Sequence, residues 1–174
     1  MLINRALGLG TLEPFDAATV QAVADAYRGW GVERYFFHVY AADLADDELE
    51  AFDSAGLERT RGWMKFRRST GPIREGKTDL RVERVGKDRA DHFGRIVCTA
   101  FGMTDAAVPL LSGIANDERW HLLVSYDGDT PAGAGALFVD KGVAWLEWGA
   151  TDPAFRRRGS QGAIMEARLR LAEE

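Results

Sequence analysis

A turn rich in arginine and glycine, followed at once by a helix, is the stretch of this sequence best suited to bind an anion. Residues 156–159 read Arg-Arg-Arg-Gly, and the following helix carries a second glycine, Gly162. The first backbone N–H groups of a helix have no partner within it and lie at the positive end of its dipole. Glycine leaves these amides accessible, and arginine adds positive charge. The stretch predicts a pyrophosphate cradle, with a helix start in a solvated basic turn as the alternative.

An acidic side chain within an apolar strand is the second candidate. Glu147 lies between Trp145 and Gly149 on one face of a predicted strand, and it is the only acidic residue of the predicted strands 132–139 and 143–150. Charged residues are rarely buried unless they are paired. Burial disfavours the charged form of a carboxylate, which suits it to take up a proton near neutral pH. A surface-facing glutamate is the alternative that the sequence leaves open.

The elements that must position these residues are predicted over 79–174. Alternating side chains indicate the strands, Asp88 is expected to cap the first helix, and Gly102 is expected to end it. Asp- and Gly-containing turns join the last three strands, which predicts an antiparallel meander. The predicted order is strand, two helices, three strands and a final helix: 80–85, 88–102, 105–115, 120–126, 132–139, 143–150 and from Gln161 to the end.

The upstream half, residues 1–70, predicts a strand-helix-strand-helix-strand order. A linker is expected over 71–78, within a stretch that holds two glycines, one proline and few apolar residues. The predicted upstream elements are the strand 2–9, the helix 16–30, the strand 35–40, the helix 45–55 and the strand 57–68.

Residues 149–163, placed after a meander and before a helix, resemble the acetyl-CoA motif of the GNAT superfamily of N-acetyltransferases. That motif reads Gln/Arg-x-x-Gly-x-Gly/Ala at the splayed end of the fourth strand of the family fold. Arg156 takes its first position and Gly159 its central glycine, whereas Gln161 stands at the last position, with Gly162 one residue later. This departure is expected to bring one bulky side chain near the phosphates without removing the backbone amides.

The resemblance implies an α/β fold built as α+β layers, with a mixed, largely antiparallel sheet flanked by helices. The family fold continues beyond the final helix with a fifth strand, a helix and further strands. Residues 1–70 are therefore expected to be either a permuted second half or the start of a tandem protein of which this chain is the front part. On the first alternative, the strand 35–40 completes the sheet beside the strand 143–150, from the same or a neighbouring chain.

The chemistry that the resemblance implies is direct attack of an amine on the thioester of acetyl-CoA, with no metal. Glu147 is expected to act as the base, and a backbone N–H near Ala150 as an oxyanion donor. The leaving thiolate is usually met by a tyrosine on the closing helix of the family fold. If residues 48–57 stand in for that helix, the matching position is Phe52, which has no hydroxyl. A catalytically degenerate CoA-binding or interaction domain is the alternative. The cofactor-binding residues expected are Ala150, Thr151, Arg156, Arg157, Arg158, Gly159, Ser160, Gln161 and Gly162.

Composition narrows the classes of function. The chain has 174 residues, 46% of them hydrophobic, and a net charge of −5, which argues against a general nucleic-acid binder. No apolar run approaches the length of a membrane span, and the first residues do not have the pattern of a signal peptide. The single cysteine, Cys98, fits a reducing cytoplasm. The expected partner is an amine-bearing acceptor, and a homodimer is left open.

Overall fold

The structure is a computed structural model, and it describes residues 4–11, 13–40, 44–60, 62 and 64–174. Two compact units divide the chain, Met1–Phe66 and Arg67–Glu174. The boundary between the units precedes the linker expected over 71–78, so that stretch belongs to the second unit. Parts of the predicted strands 2–9 and 57–68 lie outside the described residues.

The second unit is a four-stranded antiparallel sheet with helices on both faces. Its strand order is β3-β4-β5-β6, so each strand pairs with its neighbour in the chain. The elements are β3 Arg81–Val85, α3 Ala90–Phe101, α4 Val108–Gly113, β4 Trp120–Asp127, β5 Thr130–Asp140, β6 Val143–Thr151 and α5 Ser160–Ala172. This α+β architecture confirms the predicted fold class and the predicted meander.

The core of this unit lies between the sheet and α3. The apolar stripe of α3 buries Phe93 and Val97 completely against inward-facing residues of the sheet such as Leu122 and Val124. Burial of such side chains removes apolar surface from water and stabilises each by about 1.5–3 kcal/mol. Packing against α3 therefore fixes one face of the sheet.

Helix α5 covers the opposite face at unusually close range. Gly133 of β5 has no side chain, and a Cβ there would overlap the hydroxyl of Ser160 at the start of α5. The buried hydroxyls of Ser125 and Ser160 lie 2.8 Å apart and share a hydrogen bond between β4 and α5. Small residues in the sheet therefore let the N-terminus of α5 approach the backbone of the strands.

The end of the expected linker is a packed part of the second unit. The backbone N–H of Gly76 donates to Glu166 Oε2 at 2.7 Å, and the hydroxyl of Thr78 donates to the carbonyl of Arg158 at 2.7 Å. A Cβ on Gly76 would overlap the backbone of α5. Residues 76–78 therefore lie along the first turns of α5.

The described residues of the first unit form two helices and a two-stranded parallel sheet. Its elements are β1 Arg5–Leu7, α1 Ala17–Gly29, β2 Phe36–His38 and α2 Asp46–Ser54, with β1 paired to β2. Asp16 caps α1 by accepting from the N–H of Thr19 at 2.8 Å. Phe52 of α2 packs its ring between those of Phe15 and Phe37, each at a centroid distance of 5.5 Å.

Two predictions of elements are corrected, and a third is corrected in part. The described residues of the segment 57–68 form no strand. The strand expected over 35–40 pairs with β1, and in the described part of the chain β6 pairs with β5 alone, so the strand 35–40 does not complete the sheet within one chain. Its pairing with β6 of a neighbouring chain stays a prediction. Asp88 lies within a short 3-10 turn, Lys87–Arg89, and α3 begins after it at Ala90. The predicted end of this helix is confirmed, because Gly102 has a φ of 63°.

Candidate active site

Strand β6 carries a β-bulge next to Glu147. Ala136 of β5 pairs with Glu147, and the register between β5 and β6 then shifts before the next pair. Trp148 takes a left-handed backbone conformation with a φ of 54°, which is strained for a bulky aromatic residue. Bulges re-aim side chains and are common beside active sites. The residue that follows the expected base is therefore one of the strained positions of the backbone.

The bulge determines which side chains share the α3 face of the sheet. Ala136 belongs to the core cluster under α3, and its cross-strand partner Glu147 lies on the same face, half-buried. Trp148 packs against the same cluster. The sequence analysis placed Gly149 on the face of Glu147, which is wrong. A Cβ on Gly149 would lie 2.9 Å from Gln161 Oε1, on the α5 face.

An open depression of about 240 Å³ lies where β6 leads into α5. Its lining residues are Thr151, Phe155, Arg156, Arg157, Gly159, Ser160, Gln161 and Gly162. Seven of the nine residues expected to bind a cofactor are in this set. Phe155 was missed, because an apolar residue in a basic turn gives no signal of its own. Ala150 and Arg158 are not in the set.

The start of α5 presents backbone amides to this depression. The first hydrogen bond of the helix runs from the N–H of Ala163 to the carbonyl of Gly159 at 3.1 Å. The amides of Ser160, Gln161 and Gly162 precede it and have no acceptor within the helix. Arg156 and Arg157 are exposed beside them. Amides and guanidinium groups at one helix start form an arrangement that suits a phosphate group.

Arg158 has a structural task, and the expectation that it also binds the cofactor stays a prediction. Its guanidinium donates to Asp79 Oδ2 at 3.1 Å from Nε and to Asp127 Oδ2 at 2.8 Å from Nη1. These hydrogen bonds lower the pKa of both carboxyl groups and, through Asp127 and then Asp79, raise the pKa of Arg158. Arg158 therefore links the turn before α5 to the residues just before β3 and to the end of β4.

The backbone conformation at position 159 and the close approach of Lys77 require a glycine there. Its φ is 81°, and a Cβ there would overlap the carbonyl oxygen of Lys77. Glycine alone adopts this conformation without steric cost and permits this approach. Replacement of Gly159 by valine would therefore disturb the packing of residues 76–78, so a loss of ligand binding in that variant would not by itself locate a ligand.

A buried arginine on the inner face of α5 was missed by the sequence analysis. Arg168 is 2% exposed, and its Nη1 donates to the carbonyls of Ala136 and Glu147, each at 3.1 Å. Gly135 leaves room for it, because a Cβ there would lie 3.0 Å from the guanidinium carbon. The alternation of glycine with alanine in β5 is the sequence signal that could have indicated a large side chain on the helix that packs against this strand.

Comparison of sequences assigns this arrangement to a family. A family model described as the acetyltransferase (GNAT) domain matches residues 82–171, from β3 to the last turns of α5. The chain belongs to the GNAT acetyltransferase family. The predicted resemblance is thereby confirmed, and the depression at the start of α5 lies within the matched residues of the GNAT domain.

Solved acetyltransferases are among the structures similar to this GNAT chain. An acetyltransferase from Pyrococcus horikoshii is 16% identical over 63% of this chain and 39% of its own, with a TM-score of 0.48. An aminoglycoside acetyltransferase from an uncultured soil metagenomic sample, in complex with sisomicin, is 16% identical over 54% and 70%, with a TM-score of 0.47. The PaiA N-acetyltransferase from Thermoplasma acidophilum, in complex with coenzyme A, is 9% identical over 55% and 72%, with a TM-score of 0.45.

The chain thus spans about two fifths of the length of the Pyrococcus protein. A search of curated proteins returned no match. Within the described part of the GNAT chain, none of the helices has the length and apolar character needed to cross a bilayer.

The departure of this GNAT domain from the family motif has a local structural basis. Gln161, at the position expected to hold glycine or alanine, turns its side chain towards the strand ends. Its Nε2 donates to the carbonyl of Ala150 at 2.5 Å and lies 3.2 Å from both the carbonyl of Ala134 and Thr151 Oγ1. Gly149 makes room for it. The side-chain amide of Gln161 therefore donates hydrogen bonds to backbone carbonyls near the bulge.

Proposed function

We propose that this chain transfers an acetyl group from acetyl-CoA to an amine by direct attack. The observation that carries the proposal is the depression at the start of α5, lined by helix amides and exposed arginines, within the residues that match the family. It lies at the end of β6, and the same strand carries Glu147 four residues before Thr151. One strand thus leads from the anion-binding residues to a carboxylate.

The residues present fit the pyrophosphate of acetyl-CoA. The amides of Ser160, Gln161 and Gly162 would hold the phosphate oxygens, and Arg156 and Arg157 would neutralise part of their charge. When bound, acetyl-CoA supplies a thioester whose carbonyl carbon is open to attack. A backbone N–H near Ala150 is the proposed donor to the oxygen that becomes negative during attack.

Glu147 is the proposed base. An alkyl amine is protonated at neutral pH, with an ordinary pKa of about 10.4 for a lysine-like group, so it must lose a proton before it attacks. Glu147 lies on the α3 face of β6, half-buried, with its carbonyl held by Arg168. A carboxylate held on a paired strand has a fixed direction, which a general base requires. The acceptor proposed is an amine of a small molecule or a protein.

Two measurements on the purified chain test this proposal. Consumption of acetyl-CoA, followed through the free thiol released, should rise when a suitable member of a panel of primary amines is added. CoA alone should raise the melting temperature, because a ligand that binds the native state stabilises it. An unchanged melting temperature at millimolar CoA would exclude the proposed cofactor site.

Binding of CoA without turnover is the second candidate function. The observation that favours it concerns Gln161, which stands where the family motif has glycine or alanine and lines the depression with a bulkier side chain. A chain that is stabilised by CoA but releases no thiol with any amine of the panel would support this candidate. Measurable turnover would rule it out.

A further inference from the structure

Arg168 is a buried cation whose partners are neutral. It is 2% exposed, and among the described residues no carboxylate lies within ion-pairing distance of it. Its Nε is buried without a hydrogen-bond partner. Burial lowers the pKa of Arg168 to about 10, so the side chain remains charged at neutral pH. A buried charge without a counter-charge is costly, and such groups are kept where the fold or the function needs them.

The hydrogen bonds of Arg168 bridge two strands beside the bulge. Nη1 donates to the carbonyl of Ala136 in β5 and to the carbonyl of Glu147 in β6, each at 3.1 Å. These two residues are the last regular pair before the register shifts. A bulge leaves backbone groups without their partners in the ladder, and a buried carbonyl without a donor is destabilising. Arg168 therefore satisfies the backbone where the strand pairing is interrupted.

Gln161 performs the same task on the other side of the bulge. It donates to the carbonyl of Ala150, which belongs to the next regular pair. Gln161 and Arg168 are seven residues apart, which is two turns, so both project from one face of α5. Gly149 lies between them, because a Cβ there would lie 2.9 Å from Gln161 Oε1 and 3.9 Å from Arg168 Nη2. Two side chains of α5 thus bracket the bulge.

The strained residue lies inside this bracket. Trp148, with its φ of 54°, follows Glu147 directly. A residue stays in a sparsely populated conformation only where its surroundings hold it there. If the carbonyl of Glu147 were released, β6 could return to a regular pleat, and the side chains that follow would change face. The peptide group between Glu147 and Trp148, which borders the Glu147 side chain, therefore depends on the donor that holds the Glu147 carbonyl.

We propose that Arg168 is a positioning residue, which holds the bulge of β6 and thereby fixes the direction in which Glu147 meets the acceptor amine. The catalytic half of this inference rests on the proposed function. The structural half, that Arg168 holds the bulge, does not.

The structural half is tested by amide hydrogen exchange in Arg168→Met, which keeps the length of the side chain and removes its donors. The amides of residues 147–150 should exchange at least about 10-fold faster than in the wild type, while those of α3 stay within about twofold, since only the hydrogen bonds at the bulge are lost. Arg170→Met is the matched control, because Arg170 is an exposed arginine two residues away that pairs with Glu166 at 2.8 Å. Equal exchange at 147–150 in the wild type and Arg168→Met overturns the inference.

The catalytic half is tested by a double-mutant cycle with Glu147. Arg168→Met should lower kcat at neutral pH about 10-fold and leave the Kd for CoA within about twofold, because Arg168 does not line the depression. In a Glu147→Gln background the same substitution should lower kcat no further, since Arg168 acts through Glu147. Independent, multiplying effects on kcat would show that Arg168 acts on overall stability and would overturn the positioning role.

Two further variants test the role of Arg168 if Arg168→Met does not fold. If Arg168→Met does not fold, Arg168→Lys retains a charged donor and should restore part of the protection at 147–150, and full exchange there in a folded Arg168→Lys chain contradicts the inference. Gly135→Ala should also speed exchange at 147–150 with the arginine present, because its Cβ would lie 2.6 Å from Ile164 Cγ2 and 3.0 Å from the guanidinium carbon and would displace α5 from the strands. If the wild type binds no CoA and transfers no acetyl group, the proposed function fails, and amide exchange alone decides the role of Arg168.

Discussion

Three consecutive arginines at one turn have different tasks. Arg156 and Arg157 are exposed at the depression, whereas Arg158 is engaged by Asp79 and Asp127. The difference arises from the backbone, because Arg157 has a φ of 65° and its side chain leaves the turn in another direction from that of Arg158. Charge at this turn therefore attaches α5 to the sheet through Arg158, and we propose that it binds a ligand through Arg156 and Arg157.

Substitution of neighbouring arginines should separate these two tasks. Arg158→Met should lower the melting temperature, since it leaves two carboxylates without their cation, whereas Arg156→Met should leave it unchanged and raise the Kd for CoA about 10-fold.

The stabilising effect of Arg158 should depend on pH. Because Arg158 holds the pKa values of Asp79 and Asp127 below their ordinary 3.8, its stabilising effect is present above pH 3.8 and is lost as the pH falls through the lowered values. Thermal unfolding of both variants at pH 7 and pH 3, with calorimetric titration of CoA, measures these effects. A Kd for CoA that rises in Arg158→Met without a change in melting temperature would reverse the assignment.

The proposed role of Glu147 as the base can be tested by a conservative substitution. Glu147→Gln keeps the shape of the side chain and removes the base, so kcat at neutral pH should fall about 10²-fold. The rate should recover in part at higher pH, where the amine loses its proton unaided, and the Kd for CoA should stay the same. The pH dependence of kcat for both proteins measures this. A Glu147→Gln enzyme with normal turnover at pH 7 would mean that another group accepts the proton.

At the scale of elements, most local signals were read correctly, with the cap expected at Asp88 as an exception, and long-range ones were not. The end of α3 and the meander follow from residues within a few positions of each other. The bulge depends on hydrogen bonds from α5 to β5 and β6, and Arg168 has the sequence context of a solvent-exposed helix residue, so neither was predicted. The segment 57–68 alternates like a strand, but a strand also needs a partner, which a pattern within one segment does not provide.

The connection between β6 and α5 should depend on one glycine and tolerate change at another. Gly159→Ala should destabilise the chain by more than about 1 kcal/mol, because Gly159 has a left-handed backbone and its Cβ would overlap Lys77. Gly162→Ala should be neutral or stabilise by about 0.4–1 kcal/mol, since Gly162 lies within the helix and its Cβ would meet its nearest neighbour outside the helix, the Cα of Gly76, at an ordinary 3.7 Å. Urea unfolding of the two variants compares them directly. Equal destabilisation would show that the approach of Lys77 to Gly159 does not constrain the turn.

At the scale of the whole molecule, the second unit begins before its first strand. The sequence analysis took 71–78 as a linker because glycine and proline punctuate it. Gly76 serves a different purpose, since the absence of its side chain lets the backbone lie against α5 and donate to Glu166. Composition identified the irregular backbone correctly, but it does not distinguish an exposed loop from one that packs.

Two fragments of the chain should therefore differ in stability. A fragment of residues 67–174 retains the contacts of Gly76 and Thr78 with α5, and one of residues 79–174 loses both, so the shorter fragment should melt at a lower temperature. Glu166→Ala should then cost more in the longer fragment, because there Glu166 accepts from Gly76 as well as from Arg170, and only the second of these contacts remains in the shorter one. The difference between the two costs isolates the contact between Gly76 and Glu166. If both fragments melt at the same temperature, residues 67–78 act as a linker after all, and the closeness of Gly76 to α5 contributes nothing to the stability of the sheet that carries Glu147.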